Sequence, residues 1–392
     1  MRAFYVEADW APKPGYALSP RETETRRALR GNSIFKNMRS SVADRPLPRA
    51  GDDEALLKIG AAGICGTDVH LLRMDDDKYT RYNGHCRYPI ITGHEFSGTV
   101  VEAGKKVKTL KEGDLVAVES MHWCGECDAC RRGMFNQCRN LDEPGLTFDG
   151  GFAEFAAIKA KHCYLLNDLR ERYGDDGAAL EQGAMIEPVG VAYNGLFVCG
   201  GLTRPGGHAA VFGAGPVGLS AVALLRACGA AKLFCFETAP ERQRLARELG
   251  ADYVVDPIAM EREGGKPAEY LLDMTHGQGV SVFAECAGAN PATYPIMEGA
   301  IAIGGKTCQI GHRTGKTEID MFRFMWNAAR ISGSNGQSGC GIFPDVINLM
   351  ASGRVDMRKA VTARVSLENI QSGLEQSAKG AAGKILVSAG CA

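Results

Sequence analysis

The chain has 392 residues, of which 45% are hydrophobic and 23% are charged, as expected for a soluble globular protein of two domains. Its 45 basic and 46 acidic residues give a formal net charge of -1, which argues against nucleic acid or an anionic membrane surface as the main partner. No apolar run reaches the ~18 residues that span a bilayer, and Glu7 and Asp9 fall where a signal peptide needs an apolar core. We therefore expect a cytoplasmic protein without a membrane partner.

The first part of the chain has the character of a β domain. Residues 1 to about 50 are rich in Pro and Arg and are expected to be irregular. Short strand-like runs then follow, separated by turns that contain glycine; they are Ala55–Ile59, Gly98–Glu102, Leu115–Val118 and Phe152–Ile158. The pattern predicts a mainly β domain, a distorted barrel.

Three short segments of this domain carry residue types that bind metals. Cys65 opens the run C-G-T-D-V-H, His94 and Glu95 lie in G-H-E, and Glu187 lies in I-E-P. One thiolate, one imidazole and one or two carboxylates, together with a water, would make an open zinc site of the catalytic type. Each piece alone is more often a core residue than a ligand, so the prediction depends on their combination with a dinucleotide motif further along the chain.

Four further cysteines form a C-x2-C-x2-C-x7-C pattern, namely Cys124, Cys127, Cys130 and Cys138. Thiolates at this density can close a tetrahedral shell around one Zn²⁺, and a shell of four sulfurs has no open position, so this zinc is expected to be structural. Two alternatives stay open: four unrelated thiols, which would be prone to oxidation, and an iron–sulfur cluster, whose ferredoxin-type spacings differ. The other cysteines show no ligand spacing and are expected to be small buried apolar residues.

From about residue 192 the pattern changes to short apolar runs that alternate with helix-like stretches. The predicted helices include Pro216–Cys228 and Pro240–Leu249, each with Pro at its start and Gly just after its end. The predicted strands are Ala209–Phe212, Leu233–Phe236, Tyr253–Val255, Val280–Phe283 and Thr307–Ile310. Alternation at this spacing indicates a doubly wound parallel sheet.

A G-x-G-x-x-G motif follows the first of these strands and opens the next helix; its candidate coenzyme-binding residues are Gly213, Gly215, Pro216, Val217 and Gly218. The first glycine permits the tight turn, the second lets the backbone approach a pyrophosphate, and the third allows the helix to pack against the sheet. The helix N-terminus then offers N–H donors and a positive dipole to the phosphates.

The residue that follows the next strand bears on the choice of coenzyme. Glu237 can accept hydrogen bonds from the adenosine ribose hydroxyls and would repel a 2′-phosphate, which favours NAD. Arg242 is the opposing signal, because an arginine here could bind that phosphate, so NADP stays an alternative.

These motifs together, in this order, resemble the zinc-containing medium-chain dehydrogenases, the superfamily of alcohol, sorbitol and threonine dehydrogenases. The resemblance extends from about residue 50 to the end and implies an α/β-plus-β fold, with a GroES-like catalytic domain and a Rossmann coenzyme domain. We expect the catalytic domain over residues 1–191 with a return over 337–392, and the coenzyme domain over 192–336. The family also implies a homo-oligomer, a dimer or tetramer.

Carried over residue by residue, the resemblance makes Cys65, His94 and Glu187 ligands of a catalytic zinc, with Glu95 as a ligand or exchange partner. Thr67 and His70 match the family's proton-relay positions, and Asp68 matches a residue that orients His94. With the four-cysteine site, the expectation is two zinc ions per chain.

Glu187 stands where liver-type alcohol dehydrogenases have cysteine, and a carboxylate there resembles polyol and threonine dehydrogenases. The N-terminal run W-A-P-K-P-G-Y resembles a subgroup acting on keto-inositols such as scyllo-inosose, and the polar stretch Asp75–His85 could serve a hydroxyl-rich ligand or be a solvated loop. We therefore expect hydride transfer between a cyclitol and NAD. The alternatives are a linear polyol of the sorbitol type, L-threonine, and a binding protein on the same fold. A zinc-free quinone reductase would lack Cys65, His94 and the four cysteines, so the sequence argues against it.

Overall fold

A computed structural model describes residues 1–202, 205–312 and 315–388. The chain forms two compact units. The first unit comprises Met1–Glu187, Ala363–Lys379 and the chain from Lys384 onward, and the second comprises Pro188–Thr362 and Gly380–Gly383. The sequence predicts that the chain returns to the first unit at residue 337, whereas in the structure it returns at residue 363. The chain before residue 363 stays with the second unit because its 3-10 turn Met357–Ala360 packs against helices of that unit.

The strands of the first unit are β1 Arg2–Trp10, β2 Phe35–Asp44, β3 Glu54–Gly63, β4 Ile90–Ile91, β5 Glu95–Ala103, β6 Leu115–Val118, β7 Phe155–Lys159 and β8 Cys163–Leu165. Its helices are α1 Pro20–Thr25, α2 Gly66–Leu72, α3 Asp128–Arg131, α4 Asn167–Tyr173 and α5 Asp176–Tyr193, the last of which runs on into the second unit.

The second unit contains the strands β9 His208–Phe212, β10 Lys232–Phe236, β11 Tyr253–Val255, β12 Val280–Glu285, β13 Ile301–Gln309 and β14 Arg330–Gly333. Its helices are α6 Pro216–Ala227, α7 Pro240–Glu248, α8 Pro257–Arg262, α9 Pro267–Met274, α10 Asn290–Ala300, α11 Met321–Trp326 and α12 Ile342–Ala351. The chain then forms β15 Val361–Ser366, α13 Ile370–Ala378 and β16 Lys384–Ser388. Among the described helices, none combines the length and the apolar character needed to cross a membrane.

The prediction that residues 1 to about 50 are irregular is wrong. Strand β1 pairs antiparallel with β2, with Trp10 opposite Phe35, and it also pairs with β4. Phe4 and Val6 point into the core from alternate positions of β1, which is the period of a strand with one buried face. The prolines, and most of the arginines, lie in the segment that links the two strands and in residues 45–49.

The main sheet of the first unit has the order β15-β16-β3-β5-β6-β8, and β7 pairs with β3. The four predicted strands fall on β3, β5, β6 and β7, so the β character of this part is confirmed. The register places Gly63, at the end of β3, opposite both Glu95 of β5 and Leu386 of β16. Three chain segments that are distant in sequence therefore meet at one end of the sheet.

The second unit has a six-stranded parallel sheet of order β11-β10-β9-β12-β13-β14. Numbered from β9, this is the 3-2-1-4-5-6 order of a dinucleotide-binding fold, and it confirms the predicted doubly wound sheet. Strand β9 lies where the strand order reverses, and ligands of such sheets bind at the carboxyl end of that strand. The turn from β9 into α6 lies at this point.

Candidate active site

The first unit brings together the ligand-type side chains of Cys65, His94 and Glu95, whose ligand atoms all lie within 4.8 Å of one another. Cys65 is the N-cap residue of α2, and His94 immediately precedes Glu95, the first residue of β5. His94 is 6% exposed and Glu95 is 1% exposed. A half-buried cysteine with a buried imidazole and a buried carboxylate at this separation fits a zinc ion with room for one more ligand.

Glu187 lies beside this group but, among the described residues, is not part of it. The carboxylate of Glu187 accepts a hydrogen bond from the hydroxyl of Ser120 at 2.9 Å. Burial and then the charge of Glu95 raise the pKa of Glu187 to about 7. A carboxyl group poised near neutrality, next to a thiolate and an imidazole, would ionise readily when a cation binds.

Sequence reasoning missed Lys384, the first residue of β16. Its side chain is fully buried, and Nζ donates to the carbonyl of Ile64 at 3.1 Å and to Oε2 of Glu95. Burial alone would lower the pKa of Lys384, but the charges of Glu95 and Cys65 outweigh burial and raise it. The only signal in the sequence was a single lysine at the start of an otherwise apolar strand.

Asp68 is the residue expected to orient His94. Its Oδ2 accepts the backbone N–H of Cys65 at 2.9 Å, while its Oδ1 lies 3.7 Å from Nδ1 of His94, too far for a hydrogen bond. Neither of those last two atoms has a hydrogen-bond partner among the described residues. Burial lowers the pKa of His94, but the charges of Asp68 and Cys65 outweigh it and raise that pKa.

The two proposed relay residues lie on the same short helix. Thr67 is half-buried in the first turn of α2, next to Cys65, and His70 is exposed in the last turn. Helix α2 therefore leads from the ligand group to the surface of the first unit.

The four-cysteine group also assembles as predicted, with the ligand atoms of all four cysteines within 4.8 Å of one another. Sγ of Cys127 lies 3.5 Å from Sγ of Cys130 and 3.9 Å from Sγ of Cys138. A tetrahedral ZnS₄ centre with bonds of about 2.3 Å requires sulfurs about 3.8 Å apart. Hydrogen bonds from backbone N–H groups lower the pKa of Cys127 to about 6, which favours the thiolate that zinc binds.

The coenzyme motif in the second unit forms the turn that its glycines predict. Gly213 has a φ of 84°, a left-handed conformation that glycine adopts without strain. A Cβ on Gly218 would lie 1.8 Å from the carbonyl oxygen of Gly213, so any other residue would push α6 away from the turn. At Gly215, the N-cap of α6, the nearest side-chain atom to such a Cβ is 3.9 Å away. The turn therefore leaves open space at the start of the helix, where a pyrophosphate would bind.

Glu237 lies directly beneath this turn. Its carboxylate accepts hydrogen bonds from the backbone N–H groups of Ala214, at 2.7 Å, and of Thr238 and Ala239, at 2.7 and 2.9 Å. The guanidinium of Arg242 lies near Gly215 and donates to the carbonyl of Ala382 at 2.9 Å. Both residues on which the choice between NAD and NADP depends thus lie at the turn.

Comparison with known proteins agrees with this geometry. Residues 51–168 match the family described as "Alcohol dehydrogenase GroES-like domain", and residues 216–352 match the family "Zinc-binding dehydrogenase". The chain is 38% identical to scyllo-inosose 3-dehydrogenase of Thermotoga maritima, over 94% of this chain and 95% of that protein. It is 32% identical to L-threonine 3-dehydrogenase of Caldanaerobacter subterraneus, over 89% and 95%.

Among solved structures, a proposed alcohol dehydrogenase of Thermotoga maritima superposes with a TM-score of 0.94 at 36% sequence identity, covering 99% of both chains. A likeness of this extent includes the N-terminal strands as well as both units.

Proposed function

The chain belongs to the zinc-binding dehydrogenase family, and on that basis we propose that it transfers a hydride between a secondary hydroxyl group of a cyclic polyol and NAD. The family resemblance and the fold expected from the motifs are both confirmed. The observation that carries the proposal is the group of Cys65, His94 and Glu95 with Glu187 beside it. This donor set fits a catalytic zinc, and the same chain carries the coenzyme turn.

In this proposal the catalytic zinc would be held by Cys65, His94 and one or both of the carboxylates of Glu95 and Glu187. The ion would supply a Lewis acid for the substrate oxygen, and NAD would supply the hydride acceptor. The chain's own residues hold the reactants and remove the proton. The half-buried hydroxyl of Thr67 would accept the substrate's proton while it passes its own proton on toward the exposed imidazole of His70, which would release a proton to solvent.

The cyclic polyol is preferred over the alternatives on two grounds. The inosose enzyme is 38% identical to this chain and the threonine enzyme 32%, and the former match also spans more of the chain. The carboxylate of Glu187, in place of a cysteine, fits an enzyme for a polar substrate, and so does the polar stretch Asp75–His85. A linear polyol and L-threonine are the alternatives that the substrate test must separate.

A substrate panel tests the assignment directly. Purified enzyme is assayed with inositols, inososes, sorbitol, L-threonine and n-butanol, each with NAD and with NADP, by following the absorbance of the reduced coenzyme. We expect the highest kcat/KM for an inositol or inosose with NAD. A site built to hydrogen-bond several hydroxyls rejects analogues without them by up to ~10⁴-fold, so n-butanol should be a very poor substrate. A higher kcat/KM for n-butanol or L-threonine than for every cyclitol would refute the assignment.

The same proposal places the protein in the cytoplasm, where a reducing environment preserves thiolate ligands.

The proposal also includes a homo-oligomer. The second unit exposes several large apolar side chains: Ile303 at 87%, Met321 at 64%, Phe322 at 61%, Met325 at 67% and Trp326 at 76%. Four of the five lie on α11. An exposed apolar face of this kind is typical of a surface that a partner covers. Light scattering after gel filtration should give more than one chain per particle, and Trp326→Lys should shift the particle toward the monomer.

A further inference from the structure

A short ionic contact between His85 and Glu143 lies in the first unit, outside the metal group. Nε2 of His85 lies 2.5 Å from Oε2 of Glu143. Burial lowers the pKa of His85, but the contact with Glu143 outweighs burial and raises it, as expected for a direct pairing of imidazole and carboxylate. The side chains of His85 and Glu143 are 31% and 11% exposed. The pair is therefore partly open to a ligand that could complete its hydrogen bonds.

The phenol of Tyr82 lies beside the segment that bears His85, since a Cβ on Gly84 would lie 2.4 Å from its hydroxyl oxygen. Burial, and then the charges of Glu143, Cys86 and Cys65, raise the pKa of Tyr82 well above its ordinary value. The phenol is thus a neutral group that can both donate and accept a hydrogen bond.

The segment that bears Glu143 is attached to the segment that bears His94. Backbone N–H groups of residues 150, 151 and 152 donate to the carbonyls of residues 91, 93 and 92 at 2.8, 2.8 and 2.9 Å. The backbone N–H of Arg87 donates to the carbonyl of Leu146 at 2.8 Å. Glu143 therefore has a fixed place relative to the ligand group, as a residue that orients a substrate must have.

The N-terminal segment braces this arrangement from the other side. Ala28 and Cys86 exchange backbone hydrogen bonds at 2.9 and 3.0 Å, and the N–H of Asn32 donates to the carbonyl of Tyr82 at 2.8 Å. The guanidinium of Arg27 contacts the carboxylate of Asp142, next to Glu143. Because Arg27 is already engaged by Asp142, Glu143 keeps a carboxylate oxygen for a ligand.

We propose that Tyr82, His85 and Glu143 bind the hydroxyl groups of the substrate that are not oxidised, and so select a polyhydroxylated ring. This inference rests on the proposed function and adds the residues that recognise the substrate. A carboxylate, an imidazole and a neutral phenol can each pair with a hydroxyl, which both donates and accepts. An apolar alcohol would offer no hydroxyl to the phenol of Tyr82 or to the remaining polar atoms of the His85–Glu143 pair, and an enzyme rejects an analogue most strongly when its own polar groups lose a hydrogen-bond partner.

The test compares two six-membered ring alcohols that differ in the number of hydroxyl groups, myo-inositol and cyclohexanol. Tyr82→Phe and Glu143→Gln remove one hydroxyl and one negative charge with little change of shape. We expect each to lower kcat/KM for myo-inositol by about 10- to 100-fold, mainly through a higher KM, and to lower the value for cyclohexanol at least tenfold less. Calorimetric titration of myo-inositol should show a matching increase of Kd. Tyr270→Phe, on α9 of the second unit, is the matched control, and its myo-inositol kinetics should equal those of the wild type.

The outcomes separate this inference from the proposed function. Equal effects on the two alcohols, or no effect in variants whose Tm is unchanged, would overturn the role of the three residues and leave the cyclitol assignment standing. Wild-type enzyme that ignores cyclitols but oxidises a linear polyol would overturn the assignment. In that case, if the three residues bind hydroxyl groups, Tyr82→Phe and Glu143→Gln must each lower kcat/KM for the linear polyol by about 10- to 100-fold, as expected for myo-inositol. Wild-type preference for a monohydroxy alcohol would refute both.

Discussion

Lys384 and Glu95 form a buried ion pair directly behind the candidate zinc ligands, joining the first residue of β16 to the first residue of β5. The two side chains are 0% and 2% exposed. One carboxylate oxygen of Glu95 is occupied by the lysine, so Glu95 can offer at most its other oxygen freely to a metal. Among the described hydrogen bonds, the carboxylate of Glu187 accepts one, from the hydroxyl of Ser120. Glu187 is therefore the carboxylate that can more readily turn an oxygen toward a metal.

Removing the lysine should therefore destabilise the protein more than any exposed pair would. Loss of one partner from a buried ion pair leaves an uncompensated buried charge, which lowers the stability of the fold by about 3–5 kcal/mol. We expect Lys384→Met to lower the free energy of unfolding in urea by that amount, and Lys384→Met combined with Glu95→Gln to recover part of it. Arg364→Met, which breaks an exposed pair with Glu181, should lose at most about 1 kcal/mol. Equal losses of unfolding free energy in Lys384→Met and Arg364→Met would contradict the buried ion pair.

The parts of the site that the sequence predicted correctly are those encoded by neighbouring residues. The turn at Gly213–Gly218 and the four-cysteine group each lie within one short segment, so spacing alone predicts their geometry. Helix α6 begins at the predicted Pro216 and ends one residue before the predicted end. The lengths of β3 and β5 were underestimated, because their ends contain glycine and charged residues that lower strand propensity.

The parts that sequence reasoning missed depend on pairing across long separations. Lys384 contacts a residue 289 positions earlier, and no local pattern encodes that contact. The pairing of β1 with β2 was hidden because the segment between them, rich in Pro and Arg, dominated the composition of residues 1–50. The prediction that Cys65 and His94 are ligands came from a family resemblance, and the structure adds that their ligand atoms lie within 4.8 Å of each other.

Metal content should be two zinc ions per chain, one in each cysteine-containing group. Cys127→Ser should lose one zinc and much of the stability, since a structural zinc contributes directly to folding free energy. Cys65→Ser should lose the other zinc and turnover while its unfolding curve stays near that of the wild type. Cys228→Ser, an exposed cysteine outside both groups, should keep both ions. Mass spectrometric metal analysis that finds one equivalent or less in fully active protein would refute the two-site description.

Coenzyme choice should depend on Glu237. Its carboxylate beneath the turn would repel a 2′-phosphate, and we expect a preference for NAD of about 2–3 kcal/mol, the scale of an unpaired buried charged group. Glu237→Ser should narrow the ratio of kcat/KM values for NAD and NADP. Glu241→Ser, which removes an exposed carboxylate paired with Arg244 on α7, should leave the ratio unchanged. Wild-type enzyme that prefers NADP would show that Arg242 outweighs Glu237.

His70→Ala should slow alcohol oxidation most below neutral pH, where a solvent base is scarce. General acid–base help is worth about 10²–10⁴-fold, and a relay that ends at an exposed side chain should lie at the low end. Small buffer bases such as imidazole should restore part of the lost rate. His276→Asn, at an exposed position of the second unit, serves as the control. An unchanged pH profile would remove His70 from the mechanism.

The N-terminal segment should loosen as Glu22 is protonated. Its carboxylate accepts hydrogen bonds from the N–H and hydroxyl of Ser19, the phenol of Tyr16 and the N–H of Leu29, at 2.8–2.9 Å. Burial alone would raise the pKa of Glu22, but these bonds outweigh it and hold that pKa below 4.5. A depressed pKa means that the stabilisation is complete above pH 4.5 and is lost as the pH falls through the lower, folded-state value.

Hydrogen-exchange protection of residues 16–34, corrected for intrinsic rates, should therefore decrease below pH 4.5. One hydrogen bond to a charged group is worth about 1.5–3 kcal/mol, so Glu22→Gln should reduce protection at pH 7 by at least about tenfold and flatten its pH dependence. Glu24→Gln, on the same helix and exposed, should change neither. Because the same segment braces Tyr82, Glu22→Gln should also raise KM for the polyol; normal protection together with a normal KM would show that Glu22 does not hold the segment in place.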